Sequence, residues 1–242
     1  MSLTFDGFNL TRYAFVRLDR PVGPRMRIET EQVPGRAGDL ITSMVADTLT
    51  ITAHCTLRRR YITQWERVRM ELAKVFTATE PKVLQLPDEP ELYRYATASL
   101  STNVSMPLEP PVTFDIEFVC HDPVAYRDEH SATVPSGGSV TFDVGGLLPA
   151  RVRIIASSAV RNGSTLLWGL RFDEQDFARI KLPNSYAQSV DIDCKERTAL
   201  VAGATSMITA DSHWIELAPG QHTARMDQGS GAATVSWIER YL

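Results

Sequence analysis

Apolar and polar positions alternate with a period of two along much of this chain, the pattern of strands that bury one face. In the run Ala46–Leu57, Leu49, Ile51, Ala53, Cys55 and Leu57 fall on one side and Thr48, Thr50, Thr52, His54 and Thr56 on the other. β-Branched threonines suit a pleated, half-solvated surface, so the run is predicted as a strand. Thr113–Arg127 starts in the same way. Val112, Phe114, Ile116, Phe118 and Cys120 alternate with Thr113, Asp115, Glu117 and Val119. The strand should stop at His121-Asp122-Pro123, because proline has no N–H and biases the residue before it away from helix. Shorter strand candidates are Leu3–Leu10, Phe15–Asp19, Met26–Gln32, Lys82–Leu86 and Leu92–Ser101. Proline-rich separators at 20–24, 87–90 and 106–111 break them up. Val33-Pro34-Gly35-Arg36-Ala37-Gly38-Asp39 reads as a turn or extended loop, a plain hairpin connection being equally consistent.

The period changes to that of a helix once. Between Thr63 and Phe76, Trp65, Val68, Leu72, Val75 and Phe76 form one apolar stripe, with Arg67, Arg69, Glu71 and Lys74 mostly off it. Thr63 and Glu66 have the spacing of a capping box, which predicts the helix start. A single amphipathic helix among strands should pack on a sheet face, with its aromatic residues in the core.

Arg127–Ser139 is charged and then rich in Ser, Gly and Pro, and is predicted to be the seam between two domains, 1–130 and 131–242. The second half offers about eight short strands: Ser139–Val144, Arg151–Ala156, Thr165–Leu170, Phe177–Leu182, Ser189–Cys194, Trp214–Leu217, Ala224–Met226 and Ala233–Tyr241. Turn signals separate them, Asn162-Gly163 being the strongest hairpin signal in the chain. The predicted class is mainly β: an N-terminal β-sandwich with one inserted helix, then a C-terminal sandwich of jelly-roll type.

Composition narrows the function. The 242 residues are 43% hydrophobic and 22% charged, a globular balance with a net charge of −4. A dedicated nucleic-acid binder is usually basic. No apolar run approaches the length of a membrane span, and the N-terminus lacks the basic and apolar regions of a secretory signal. Cys55, Cys120 and Cys194 are odd in number and far apart, which points to reduced, buried thiols made in a cytoplasm. The five histidines show no ligand spacing, and no C-x-x-C, P-loop, G-x-G-x-x-G or G-x-S-x-G occurs. Asp115 and Glu117 lie about 7 Å apart on one strand face, near the separation of an inverting glycosidase pair, but such pairs are common on solvated faces. Asp191 and Asp193 form a similar pair that could take Ca²⁺ with other oxygens. No cofactor is expected. Arg58-Arg59-Arg60 ends the strand at Leu57 and reads as a solvated loop or a subunit contact.

The strand Phe114-x-x-x-Phe118-x-Cys120, closed by Asp122-Pro123-x-x-Tyr126, resembles the end of the N-terminal domain of phage distal tail proteins, of the siphophage tail component family. Val33-Pro34-Gly35-Arg36-x-Gly38 matches a segment typical of the same family. In the second half the resemblance continues through Val190-Asp191-Ile192-Asp193, Arg197-Thr198, Ser212-His213-Trp214, Leu217-Ala218-Pro219-Gly220 and Val235-Ser236-Trp237. The pair Gln221-His222 departs from it, at the level of a turn. The resemblance implies a galectin-like C-terminal sandwich and a structural virion protein at the tail tip, with no turnover. It implies a homohexameric ring that caps the tail tube protein, meets a tail-tip hub or baseplate protein, and passes DNA without binding it specifically. Ring-interface candidates are Gly35, Arg36, Gly38, Asp39, Arg58, Arg59 and Arg60. The alternative is a carbohydrate-binding module for a host surface, with Trp168 and Trp214 as its aromatic platform, although tryptophan in a small sandwich is more often core.

Overall fold

Strands dominate the computed structural model, which describes residues 2–76, 79–100, 110–173 and 175–242. The chain divides into two units, Met1–Tyr126 with Leu242 and Arg127–Tyr241. Part of the proline loop expected at 106–111 lies outside the described residues.

The first unit contains β1 (Thr4–Phe5), β2 (Phe8–Asn9), β3 (Ala14–Asp19), β4 (Met26–Gln32), β5 (Asp39–Ala46), β6 (Leu49–Leu57), α1 (Trp65–Phe76), β7 (Lys82–Leu86), β8 (Glu89–Leu100) and β9 (Thr113–Cys120). β6 is flanked by β3 on one side and β9 on the other, all antiparallel. It reads buried at every second residue from Leu49 to Leu57, as its sequence demands. The long β8 pairs with β9 through Thr97–Leu100 and with β7 through its earlier residues, so one strand serves two ladders. Phe5, Ile51, Leu84, Phe114, Ile116 and Phe118 meet in the core between them. α1 closes this core with Trp65, Val68 and Leu72, the Trp65 ring lying 6.0 Å from that of Phe114.

The helix starts differently from its capping-box prediction. Residues Arg59–Gln64 already wind as a 3₁₀ turn that runs into the α-helix, so Thr63 is not its N-cap. Glu66 accepts instead from the guanidinium of Arg69, one turn on, at 3.0 Å.

The division between the units falls close to the predicted boundary at 130/131, but in a strand instead of a loop. Ala125–Val134 is a ten-residue strand, β10, and the division between the units falls inside it. Its sequence AYRDEHSATV hides it, because a strand bonded through its backbone needs no apolar alternation.

The second unit adds β11 (Ser139–Val144), β12 (Ala150–Ala159), β13 (Leu167–Phe172), β14 (Asp176–Lys181), β15 (Gln188–Asp193), β16 (Thr198–Val201), β17 (Ala204–Thr205), β18 (Glu216–Leu217), β19 (Gly220–Gln228) and β20 (Ala233–Tyr241). One sheet runs β11-β19-β13-β14, the other β17-β16-β15-β12-β20-β10. Trp168, Leu170, Phe172 and Ile180 of the first face Val152, Ile154, Ile192 and Val235 of the second in one core. Asn162-Gly163 makes no hairpin: β12 and β13 belong to different sheets, and the loop carries the chain from one to the other. The Asn162 side chain accepts from the Ser164 N–H at 3.0 Å and donates to Gln228 at 3.1 Å, so it folds the crossing and anchors it to β19.

Candidate assembly surface

Residues 26–46 fold back on themselves as a two-stranded sheet, β4 with β5, which pairs with no other strand among the described residues. Neither strand has a buried residue. The register Met26↔Ala46, Ile28↔Met44 and Thr30↔Ile41 places Met26, Ile28, Ile41 and Met44 on one face. Arg27, Glu29 and Glu31 lie on the other, opposite Val45, Ser43 and Leu40. A bulge between Glu29 and Thr30 keeps the faces in phase, and the Thr42 hydroxyl donates to the Glu29 carbonyl there at 3.1 Å. The sequence therefore builds an amphipathic arm whose apolar face is uncovered: Met26, Ile28, Ile41 and Met44 are 42–56% exposed. An isolated hairpin is marginal in water unless it packs on something.

Gly35 and Gly38 lie at the tip of this arm with φ of +82° and +80°, left-handed values that a side chain would strain. The Arg36 N–H donates to the Val33 carbonyl at 3.1 Å, and Asp39 opens β5 opposite Gln32. The predicted loop is thus a hairpin connection. The following strand, Asp39–Ala46, was not foreseen, since only its pairing with β4 makes it visible.

Arg58–Arg60 lies elsewhere, at the end of β6. Arg58 donates through Nε and one Nη to the Thr11 carbonyl, at 3.2 and 3.1 Å, and covers the Phe15 ring at 4.1 Å. Arg60 stacks on Tyr61 at 4.8 Å, and Arg59 is exposed. Arg58 therefore ties β6 to the turn before β3, a role within the chain that its place in a basic triplet did not announce.

On the outer face of β3, β6 and β9, His54 bridges two carboxylates. Its Nδ1 lies 2.8 Å from Asp115 and its Nε2 3.0 Å from Asp19. Both ring nitrogens face acceptors, which favours the doubly protonated ring. The bonds to Asp115 and Asp19 raise the imidazole pKa above its ordinary value. Asp115 is thereby engaged by His54 on this face. Asp191 is held by Arg153 in a two-pronged contact at 3.0 and 2.7 Å, and Asp193 caps the N–H groups of Lys195 and Glu196. Asp191 is thus engaged through both oxygens and Asp193 through one, and among the described residues no group of three His, Cys, Asp or Glu could hold a metal.

Of the two tryptophans expected as an aromatic platform, one is fully buried. Trp168 is 0% exposed and points into the second core, and Trp214 packs against the same core from its edge. Trp168 therefore offers no ring face to a sugar, and Trp214 is partly buried.

Residues 5–120 match the family model of the phage tail protein RIFT-related domain, and residues 158–241 that of the siphovirus-type tail component C-terminal domain. The chain belongs to the siphovirus tail component family. Its type is that of the distal tail proteins, structural components of the virion tail. Among solved structures it is similar to the SPP1 Dit protein, described as a paradigm of the hub adsorption apparatus in phages that infect Gram-positive hosts. The TM-score is 0.78 at 16% identity, covering 100% of this chain and 99% of that one. It is also similar to a chain of the phage P2 baseplate in its activated conformation with Ca, with a TM-score of 0.50 at 9% identity, covering 96% and 92%. No curated protein matches it by sequence.

Proposed function

We propose that this tail protein closes into a homohexameric ring at the distal end of the tail tube, with the β4–β5 arm of each protomer docked on the next. The observation that carries this is the exposed apolar face of Met26, Ile28, Ile41 and Met44 on an arm that pairs with no other strand among the described residues. An arm that fits a different patch on the next copy is a heterologous contact, and such contacts make rings when the rotation closes. The ring continues the channel of the tail tube protein, and the C-terminal sandwich serves as a platform for a tail-tip hub, baseplate or receptor-binding protein. DNA passes through without specific binding, in keeping with the net charge of −4.

The test is the mass in solution, by light scattering behind a sizing column over a concentration series. A species close to six times 26.9 kDa is expected. A persistent monomer that the tube protein also fails to assemble would refute the ring.

A further inference from the structure

We propose that the outer face of the β11-β19-β13-β14 sheet carries an oxyanion site built from Arg171 and Arg225, taking a phosphate or carboxylate group. The two arginines stand directly opposite each other across the β13–β19 ladder. Like charges in that position destabilise a sheet, so the pair is a cost unless something neutralises it. Neither has an ion pair or hydrogen bond among the described residues, and the Arg171 Nε is buried with no partner. Between them opens a groove of about 320 Å³, walled by Arg171, Asp173, Thr223 and Arg225.

The nearby acids are already committed. Asp173 accepts the Thr223 N–H at 2.8 Å through one oxygen and the His222 imidazole through the other. The second ring nitrogen of His222 reaches the Ala218 carbonyl at 2.6 Å. A ring with acceptors at both nitrogens favours the doubly protonated form, which sets positive charge against Asp173. Further along the face, Arg179 pairs with both Asp227 and Asp211, and its guanidinium lies 3.8 Å over the Phe177 ring. The Thr223 hydroxyl shares a hydrogen bond with Thr141 at 3.0 Å. Arg171 and Arg225 have no carboxylate partner among the described residues and present two planar forks of N–H donors beside one groove. Guanidinium forks bind carboxylate and phosphate oxygens in pairs. The site stands on the second unit alone and does not depend on ring formation.

Calorimetric titration of the full chain at constant ionic strength tests it, with inorganic phosphate in one arm and a triglutamate peptide in the other. Saturable binding of at least one probe is expected, and the arm that saturates identifies the source of the oxyanion. Arg171→Gln and Arg225→Gln should each weaken it at least tenfold, while Lys181→Gln, an exposed cation on the same sheet, should leave it unchanged. Melting curves without anion give an independent readout: Arg225→Gln should be no less stable than wild type, since it relieves the repulsion. No saturable binding in either arm overturns the proposal. So does an equal loss in Lys181→Gln, which would mean diffuse attraction to a charged face.

Discussion

Ile28→Asp is the sharpest perturbation of the arm. Ile28 is 50% exposed, as are Met26 at 42%, Ile41 at 56% and Met44 at 54%, so each has roughly half a side chain left to bury. Full burial of such a side chain is worth about 1.5–3 kcal/mol, so covering the remaining half contributes about 1 kcal/mol each and about 4 kcal/mol for the face. An aspartate at the centre removes one share and adds the cost of taking a carboxylate out of water, several kcal/mol unless the contact opens to admit solvent. A net weakening of about 4 kcal/mol is roughly a thousandfold at each protomer contact. Within the monomer the same change is at a surface position and should stay within about 0.5 kcal/mol. Light scattering should therefore show Ile28→Asp as a monomer at concentrations where wild type is assembled, with an unchanged melting temperature. Arg27→Ala, on the opposite face of the same strand, should retain the wild-type mass. If Ile28→Asp keeps the assembled mass, or loses it only by unfolding, the apolar face does not drive assembly.

Three further outcomes follow from the geometry. Trp168→Ala empties a fully buried site and should cost about 3–5 kcal/mol in denaturant unfolding; a cost below about 1 kcal/mol would contradict its place in the core. The pKa of His54 is raised in the folded state by Asp115 and Asp19, so its stabilisation is complete below the unfolded value near 6.5 and is lost as pH rises through the folded value. His54→Gln should flatten the decline in melting temperature as pH rises above about 6.5, and an unchanged slope would dismiss the bridge. Burial pushes the thiols of Cys55, Cys120 and Cys194 up to about 12, 11 and 11, so iodoacetamide at mildly alkaline pH should label them only after denaturation. Rapid labelling of the native chain would show that the cores open.

The sequence by itself determined the elements whose signals are local. Leu49–Leu57 and Phe114–Cys120 alternate because they bury one face of a sheet, and Trp65, Val68 and Leu72 repeat at helical spacing because they cover it. The family was legible for the same reason, since its motifs are short turns and strand ends. Only the tertiary structure decided where each face points. Met26–Gln32 alternates like any half-buried strand, and nothing in those residues says that the apolar side is left open; that depends on the bulged register with Asp39–Ala46 and on no other described strand pairing with the arm. Asn162-Gly163 has hairpin chemistry, yet its flanking strands go to different sheets, because pairing partners are chosen by the core and the turn only accommodates them. Arg171 and Arg225 lie far apart in sequence and became neighbours through one ladder. Periodicity records that a side chain leaves the backbone on a given side, while burial and charge balance depend on what the fold brings to that side.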